Sequence, residues 1–362
     1  MLIPIPCVVM RGGTSKGPFF LQSDLPQDEA RRNQVLLAVM GSPDRRQIDG
    51  LGGGDSLSSK VVMVSASSRP GIDVEYLFAQ VSVDSATVDT SPNCGNMLAG
   101  VAPFALEHGL VAADKPHTAV RIYNQNTGKV VEAIVQTPGG KVNYEGEVHI
   151  DGVPGSGAPI LLNFMDAAGA KTGKLMPTGQ AIDVIDGVEV SCVDFSTPIV
   201  FIAASALGKR GDESKAELDA DSALLARIET LRRAAALRMG LGDVSDKVLP
   251  KVVLLSPPTA GGQICSRYFV PWNCHAAHAV TGALCVAAAS HIPGTLAHRL
   301  ARLDPAAPQH VTIEHPSGQL HTQVTQAGTD AEGWPHISKA GVVRTARPLV
   351  AGVTYVPGSL WQ

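Results

Sequence analysis

The chain has 362 residues, a formal net charge of −4 and a pI near 6.2, and only 4% of it is aromatic. That length can bury two cores, while the mild acidity offers no basic face to nucleic acid. No apolar run reaches the roughly 18 to 20 residues that span a bilayer, so no membrane segment is expected. The opening Met1-Leu-Ile-Pro-Ile-Pro-Cys7 lacks a basic n-region and reads as a first strand, not a secretion signal. Six cysteines without a close pairing pattern fit reduced thiols in the cytoplasm, with Cys265, Cys274 and Cys285 inert in apolar surroundings.

Ile3 to Met10 reads as a strand, followed by Arg11-Gly-Gly-Thr-Ser-Lys-Gly17 and a second strand from Pro18 to Leu21. Two glycines let N–H groups face one cavity, with Arg11, Thr14, Ser15 and Lys16 as donors around it. Such a loop suits a carboxylate; read blandly, it is a hairpin turn with solvated charges. Asp24 to Met40 reads as a helix capped by Asp24, with Pro26 in its first turn and Gly41 at its end. The glycine-rich stretch before Lys60 is not a Walker loop, because its lysine opens the apolar strand Val61 to Val64 instead of a helix. It also lacks the strand-glycine-helix order of a dinucleotide site. Nucleotide binding is therefore not expected. The glycines instead admit a ligand, with Ser59 and Lys60 reaching toward it. A lysine near other cations and partly desolvated can serve as a base, whereas an ordinary one at a strand start is solvated.

Val81 to Val88 alternates like a strand, Pro92 marks a sharp turn, and Asn96 to Leu106 reads as a buried helix. Cys94 then stands where free N–H groups and the positive end of a helix dipole converge, flanked by Asn93, Gly95 and Asn96. Those conditions lower a thiol's pKa and attract a carboxylate. Cysteine is otherwise a common buried structural residue. The strand-turn-helix setting makes Cys94 the expected catalytic thiol.

Thr118 to Asn124, Val130 to Gln136 and Val142 to Ile150 read as a strand meander, and a domain boundary is expected near Gln180. A second round follows: strands Ile182 to Val193 and Pro198 to Ala203, a helical stretch from Asp212 to Leu241, and strands Val252 to Leu255 and Gln263 to Val270. The segment from Cys274 to Ala289 is again a turn feeding a small-residue helix, a faint echo of the Cys94 segment. Cys274, His275 and His278 have no clear fourth ligand, so no metal is expected. His315 lies in the turn Glu314-His-Pro-Ser-Gly318, as a polar turn residue or a pocket donor. Short strands, Ala340 to Thr345 and Gly352 to Val356, end the chain.

The motifs Met10-Arg-Gly-Gly-Thr-Ser-Lys-Gly17, Gly52-Gly-Gly-Asp-Ser-Leu-Ser-Ser-Lys60, Asn93-Cys-Gly-Asn96, Thr281-Gly-Ala283 and His315-Pro-Ser-Gly318 occur in that order across nearly the whole chain. Together they resemble the PrpF family, which has the fold of diaminopimelate epimerase. The resemblance implies an α/β (α+β) protein of two similar domains, each a curled β-sheet around a central helix, with the active site between them. It places residues 1–180 with 341–362 in the first domain and 181–340 in the second. It implies a cofactor-independent isomerase of small unsaturated polycarboxylates, most similar to the 4-oxalomesaconate tautomerases and isomerases of gallate and protocatechuate breakdown. Aconitate or methylitaconate isomerisation is the alternative, and a non-catalytic carboxylate-binding protein the rival of another class. Lys60 and Cys94 match the catalytic positions. Arg11, Thr14, Ser15, Lys16, Ser59, Asn93, Gly95, Asn96, Thr281, Gly282, His315 and Ser317 are the expected substrate-binding residues. The epimerase cousins carry a second thiol ahead of the other helix, where this chain has Ala279. The expected partner is a small polycarboxylate, with no nucleic acid and no membrane, and a homodimer is the assembly to test.

Overall fold

A computed structural model describes residues 1–90, 93–165, 167–245, 247–270 and 272–361; the expected turn at Pro92 lies outside them. The chain divides into two compact units, Met1–Leu162 with Val343–Gln362, and Asn163–Val342.

In the first unit, β1 (Leu2–Gly12) and β2 (Ser15–Leu21) form a hairpin and α1 (Glu29–Met40) follows. Asp28, not Asp24, caps α1, accepting the Arg31 N–H; Gly41 ends it in the left-handed region. The glycine loop then leads into β3 (Lys60–Ala66), β4 (Val74–Val81) and the short β5 (Val88–Asp89). The strand expected over 81–88 is mostly a polar turn, closed by the Ser82 N–H on Thr87 and the Thr87 N–H on Ser85. The buried helix is two pieces, α2 (Gly95–Leu98) and α3 (Val101–Glu107). They join through a tighter turn at Ala99 and Gly100, where a Cβ would strike the Phe19 ring at 2.6 Å. Strands β6 (His117–Asn124) and β7 (Lys129–Gln136) follow. Residues 142–150 are largely irregular and contribute only β8 (Val148–His149), paired with β9 (Ser156–Gly157). The chain leaves the unit within β10 (Ile160–Met165).

In the second unit, β11 (Asp183–Ile185), β12 (Val188–Phe195) and β13 (Thr197–Ala203) form two successive hairpins. After them come α4 (Lys215–Ala220), α5 (Ser222–Arg238), β14 (Lys251–Ser256) and β15 (Ile264–Phe269). Then come α6 (Val280–Ala289), α7 (Leu296–Leu300), β16 (His310–His315), β17 (Gly318–Thr329) and β18 (Pro335–Arg344), at whose end Val343 and Arg344 already belong to the first unit. Residues 167–180 belong to this unit, so the boundary falls earlier than Gln180. The Gly169 N–H bonds to Asp194 O, and the Lys171 and Thr172 N–H groups bond to its carboxylate, tying this loop to β12. The final strand, β19 (Ala346–Pro357), belongs to the first unit and pairs with β1 along its whole length.

Each unit repeats one pairing pattern. The first runs β19–β1–β2–β3–β4–β6–β7, with β2–β3 and β4–β6 parallel. The second runs β11–β12–β13–β14–β15–β16–β17, with β13–β14 and β15–β16 parallel. Parallel neighbours need a crossover, and helices supply it at matching places: α1 and α4–α5 at the first, α2–α3 and α6–α7 at the second. One face of the first sheet (Ile5, Phe20, Val61, Met63, Ala79, Val81) packs on α1 through Val35, Leu36, Val39 and Met40. Its other face takes α2 and α3, with Phe19 5.7 Å from Phe104. In the second unit, Val190, Cys192, Val200, Ile202, Val252 and Leu254 pack on α5 through Leu224, Ile228, Leu231 and Ala235. Helix α6 is buried on nearly every side, as a sequence apolar except at Thr281 requires. Among the described residues, no helix is long and apolar enough to cross a membrane.

Candidate active site

The first unit brings the Lys60 amine and the backbone of Cys94 onto one face of β4. Tyr76, Phe78 and Gln80 alternate along that strand and so share a side. Lys60, buried at the start of β3, donates to Gln80 Oε1 at 2.6 Å, and its Nζ lies 5.1 Å from the centre of the Phe78 ring. Gln80 is held in turn by its amide, which donates to Ser56 O and Ser59 O. Four residues before Gln80, the Tyr76 hydroxyl donates to Cys94 O at 3.2 Å. Burial, and then the neighbouring Cys94, pushes the Tyr76 phenol well above its usual range, so it remains a donor. Cys94 is half-buried and caps α2, and the first-turn N–H groups of Gly95 and Asn96 have no carbonyl partner among the described residues.

The hairpin turn closes on this helix start. A Cβ on Gly12 would lie 2.5 Å from Asn96 O, and one on Gly17 only 1.8 Å from Lys60 O, with the Met97 methyl close by. These glycines let β1, β2, β3 and α2 meet with backbone against backbone. Asn96 donates to Thr14 Oγ1 and accepts from Arg344 Nε, so its side chain fastens the turn to the helix. Asn93 accepts from Asn124 Nδ2 at 2.7 Å, and Asn126 anchors the same loop through Thr90 O and Phe78.

Several expected donors fall elsewhere. Ser59 is fully buried, accepting from Gln47 and donating to Val81 O, so it braces the glycine loop from behind. Arg11 and Lys16 alternate with Gly12 and Gly17, and so point away from the face that carries Lys60 and Cys94. Ser15 faces inward, 2% exposed, and its hydroxyl has no partner among the described residues.

Sequence reasoning missed Arg344. It is buried at the end of β18, bonds to Asn96 Oδ1 and Val343 O, and belongs to no ion pair among the described residues. Burial lowers its pKa to about 10. Nothing in a strand sequence distinguishes a buried arginine from a solvated one; Tyr76 and Gln80 were equally silent.

In the second unit, Thr281 and Gly282 lie in the first turn of α6, and a Cβ on Gly282 would strike the Tyr268 ring at 2.3 Å. Gly282 therefore serves packing. Ser317 donates to Ala276 O and His315 Nδ1 accepts the Ser317 N–H, folding that turn onto the loop ahead of α6. Cys285 lies inside the helix, and burial pushes its thiol far up; Cys274 is pushed up to about 11 by the same cause. Among the described residues, no cluster of three His, Cys, Asp or Glu side chains could hold a metal ion.

A cavity of about 780 Å³ bordering Gln80 is lined by Asp55, Asp84 and Asp89 against Arg45 alone, a polarity that repels polycarboxylates. The family model described as PrpF protein matches residues 2–357. The chain is 52% identical to YbhH of Escherichia coli K12 over 353 residues, covering 98% of this chain and 99% of that one. It is 50% identical to the 4-oxalomesaconate tautomerase of Pseudomonas putida over 357 residues, covering 99% and 97%. A crystal structure of a methylitaconate-delta-isomerase aligns with a TM-score of 0.91 and 37% identity, covering 99% of this chain and 97% of that one.

Proposed function

The chain belongs to the PrpF family, and from that premise we propose that it is a cytoplasmic, cofactor-independent isomerase acting on 4-oxalomesaconate in gallate and protocatechuate breakdown. The reaction is a 1,3-proton shift. It conserves atoms and oxidation state, so it needs a proton donor, a proton acceptor and stabilisation of the anion between them. The observation that carries the reading is the placement of the Lys60 amine and the Cys94 cap on one face of β4. One of the two removes a proton from a carbon beside a carbonyl or double bond, and the other returns a proton at the far carbon of the allylic system.

The dienolate between these steps needs preorganised donors more than a strong base. The Gly95 and Asn96 N–H groups, the Ser15 and Thr14 hydroxyls and the Arg344 guanidinium are the groups we assign to it. A desolvated arginine without a carboxylate is suited to the carboxylate of a substrate. The substrate follows from the 50% identity to the Pseudomonas putida tautomerase. Methylitaconate is the second reading, on the strength of the solved isomerase. Cytoplasmic placement accords with six free cysteines.

Proton NMR in D2O with a panel of unsaturated di- and tricarboxylates tests the assignment. Oxalomesaconate should exchange and isomerise fastest, and Cys94→Ser and Lys60→Met should each lose about a hundredfold or more in rate. Near wild-type turnover in both variants would defeat the proposal.

A further inference from the structure

The cations of the β1–β2 hairpin form a structure of their own. Arg11 stands opposite Lys16 on β2 and opposite Arg347 on β19. Directly paired residues on neighbouring strands share a face, so the three charges lie in one row across three strands. Their neighbours fix which face it is. Gly12 and Gly17, alternating with them, turn toward Asn96, Met97 and Lys60. Ile5 on β1 and Phe20 on β2, in step with Arg11 and Lys16, pack with α1 on the opposite face. The sheet itself therefore separates the row from the thiol and the amine.

Like charges directly opposite one another repel. Here the ion pairs among the described residues include none of the three. Arg11 satisfies part of its guanidinium on Gly13 O and Thr345 O. Burial first, and then Arg347, lower the pKa of Arg11, with no acid acting against them. The row borders a cavity of about 410 Å³, walled by Ser58, Ser156 and Leu349, met at the tip of the turn by Thr14 and Ser15, and lined by no Asp or Glu. That volume lies within the range of small-molecule sites.

We propose that this cavity is a second anion site, in which Arg11, Lys16 and Arg347 together hold one small polyanion, a polycarboxylate or a phosphate, on the side of the sheet away from the proton-transfer residues. An occupant would relieve the repulsion across β2, β1 and β19. It would thereby steady the turn whose other side closes on Asn96.

Titration calorimetry on the full chain tests this with two probes, inorganic phosphate and citrate. Arg347 is exposed, so Arg347→Gln should fold, and a thermal melt checks that it does. Arg344→Gln is the control for binding at the other face. At least one probe should bind with a millimolar or tighter Kd and weaken about tenfold in Arg347→Gln, while staying within about twofold in Arg344→Gln. Whichever probe binds tighter identifies the source, phosphate or carboxylate. No binding of either probe at about 20 mM, a Kd that Arg347→Gln leaves unmoved, or a loss as large in Arg344→Gln would each overturn the proposal. Neither probe can be isomerised, so the outcome does not depend on the proposed reaction.

Discussion

The two units carry the same strand pattern, yet they use its matching positions differently. Lys60 and Lys251 each open the strand that lies parallel to the second strand of a hairpin, β3 and β14. Phe78 and Tyr268 occupy corresponding places on the next strand, opposite Val62 and Val253. At the following helix, however, the cap is Cys94 in the first unit and Ala279 in the second. The second unit thus retains the amine position but lacks the thiol, and its nearby Cys285 is sealed within the helix. Burial, and then Arg232, lower the pKa of Lys251 to about 8. The comparison teaches that the fold places a lysine at the same strand start twice, while the cap of the helix that follows differs, Cys94 against Ala279.

The largest effect expected is at the cap. Cys94→Ala should lower turnover by about 10²- to 10⁴-fold, and adding Ala279→Cys should not restore it; recovery in the double variant, followed by NMR, would break the comparison. Iodoacetamide should correspondingly alkylate Cys94 while leaving Cys285 intact, as peptide mapping would show.

Next in size are the glycines. Gly17→Ala sets a Cβ 1.8 Å from the Lys60 carbonyl oxygen, on backbone, whereas Gly282→Ala meets a side chain, the Tyr268 ring, at 2.3 Å. Urea denaturation should show a loss of about 3 kcal/mol for the first and nearer 1 kcal/mol for the second.

Gln80→Leu removes the acceptor of the Lys60 ammonium and should cost about tenfold in kcat, with no such effect from Val270→Leu at the matching place on the other sheet.

The smallest effect concerns Lys251. Its folded pKa is depressed from 10.5 to about 8. Its contribution to stability is therefore present above 10.5 and is lost as pH falls through 8. Lys251→Met should stabilise the protein at pH 7 by about 1 kcal/mol after solvent screening, with the gain fading by pH 10.5 in urea melts.

Much of this architecture was legible in the chain. The alternation of Ile3 to Met10, the apolar run after Lys60 and the small-residue helix from Val280 gave those elements directly. Where the reading failed, two local signals competed. Asp24 with Pro26 is a sound helix start, but Asp28 captures the free N–H group of Arg31 instead. Val81 to Val88 alternates, yet Asp84 and Ser85 favour a turn. At the candidate site, Lys60 and Cys94 could be proposed because their setting is local. Tyr76, Gln80 and Arg344 could not, because their roles arise only when distant strands pair. The faces of Arg11 and Lys16 were hidden for the same reason, since a hairpin tip does not reveal which side of a sheet its charges occupy.

The pairing of β1 with β19 joins the first eleven or so residues to a strand close to the end of the chain. During synthesis on the ribosome, the second unit is contiguous and emerges complete, while the first must wait for its closing strand. Until then β1 presents a bare edge, the kind that invites mispairing between nascent chains. The part of the molecule that carries Cys94 is thus sealed only after the whole second unit has been made, and the sulfur acquires its finished surroundings no earlier than that.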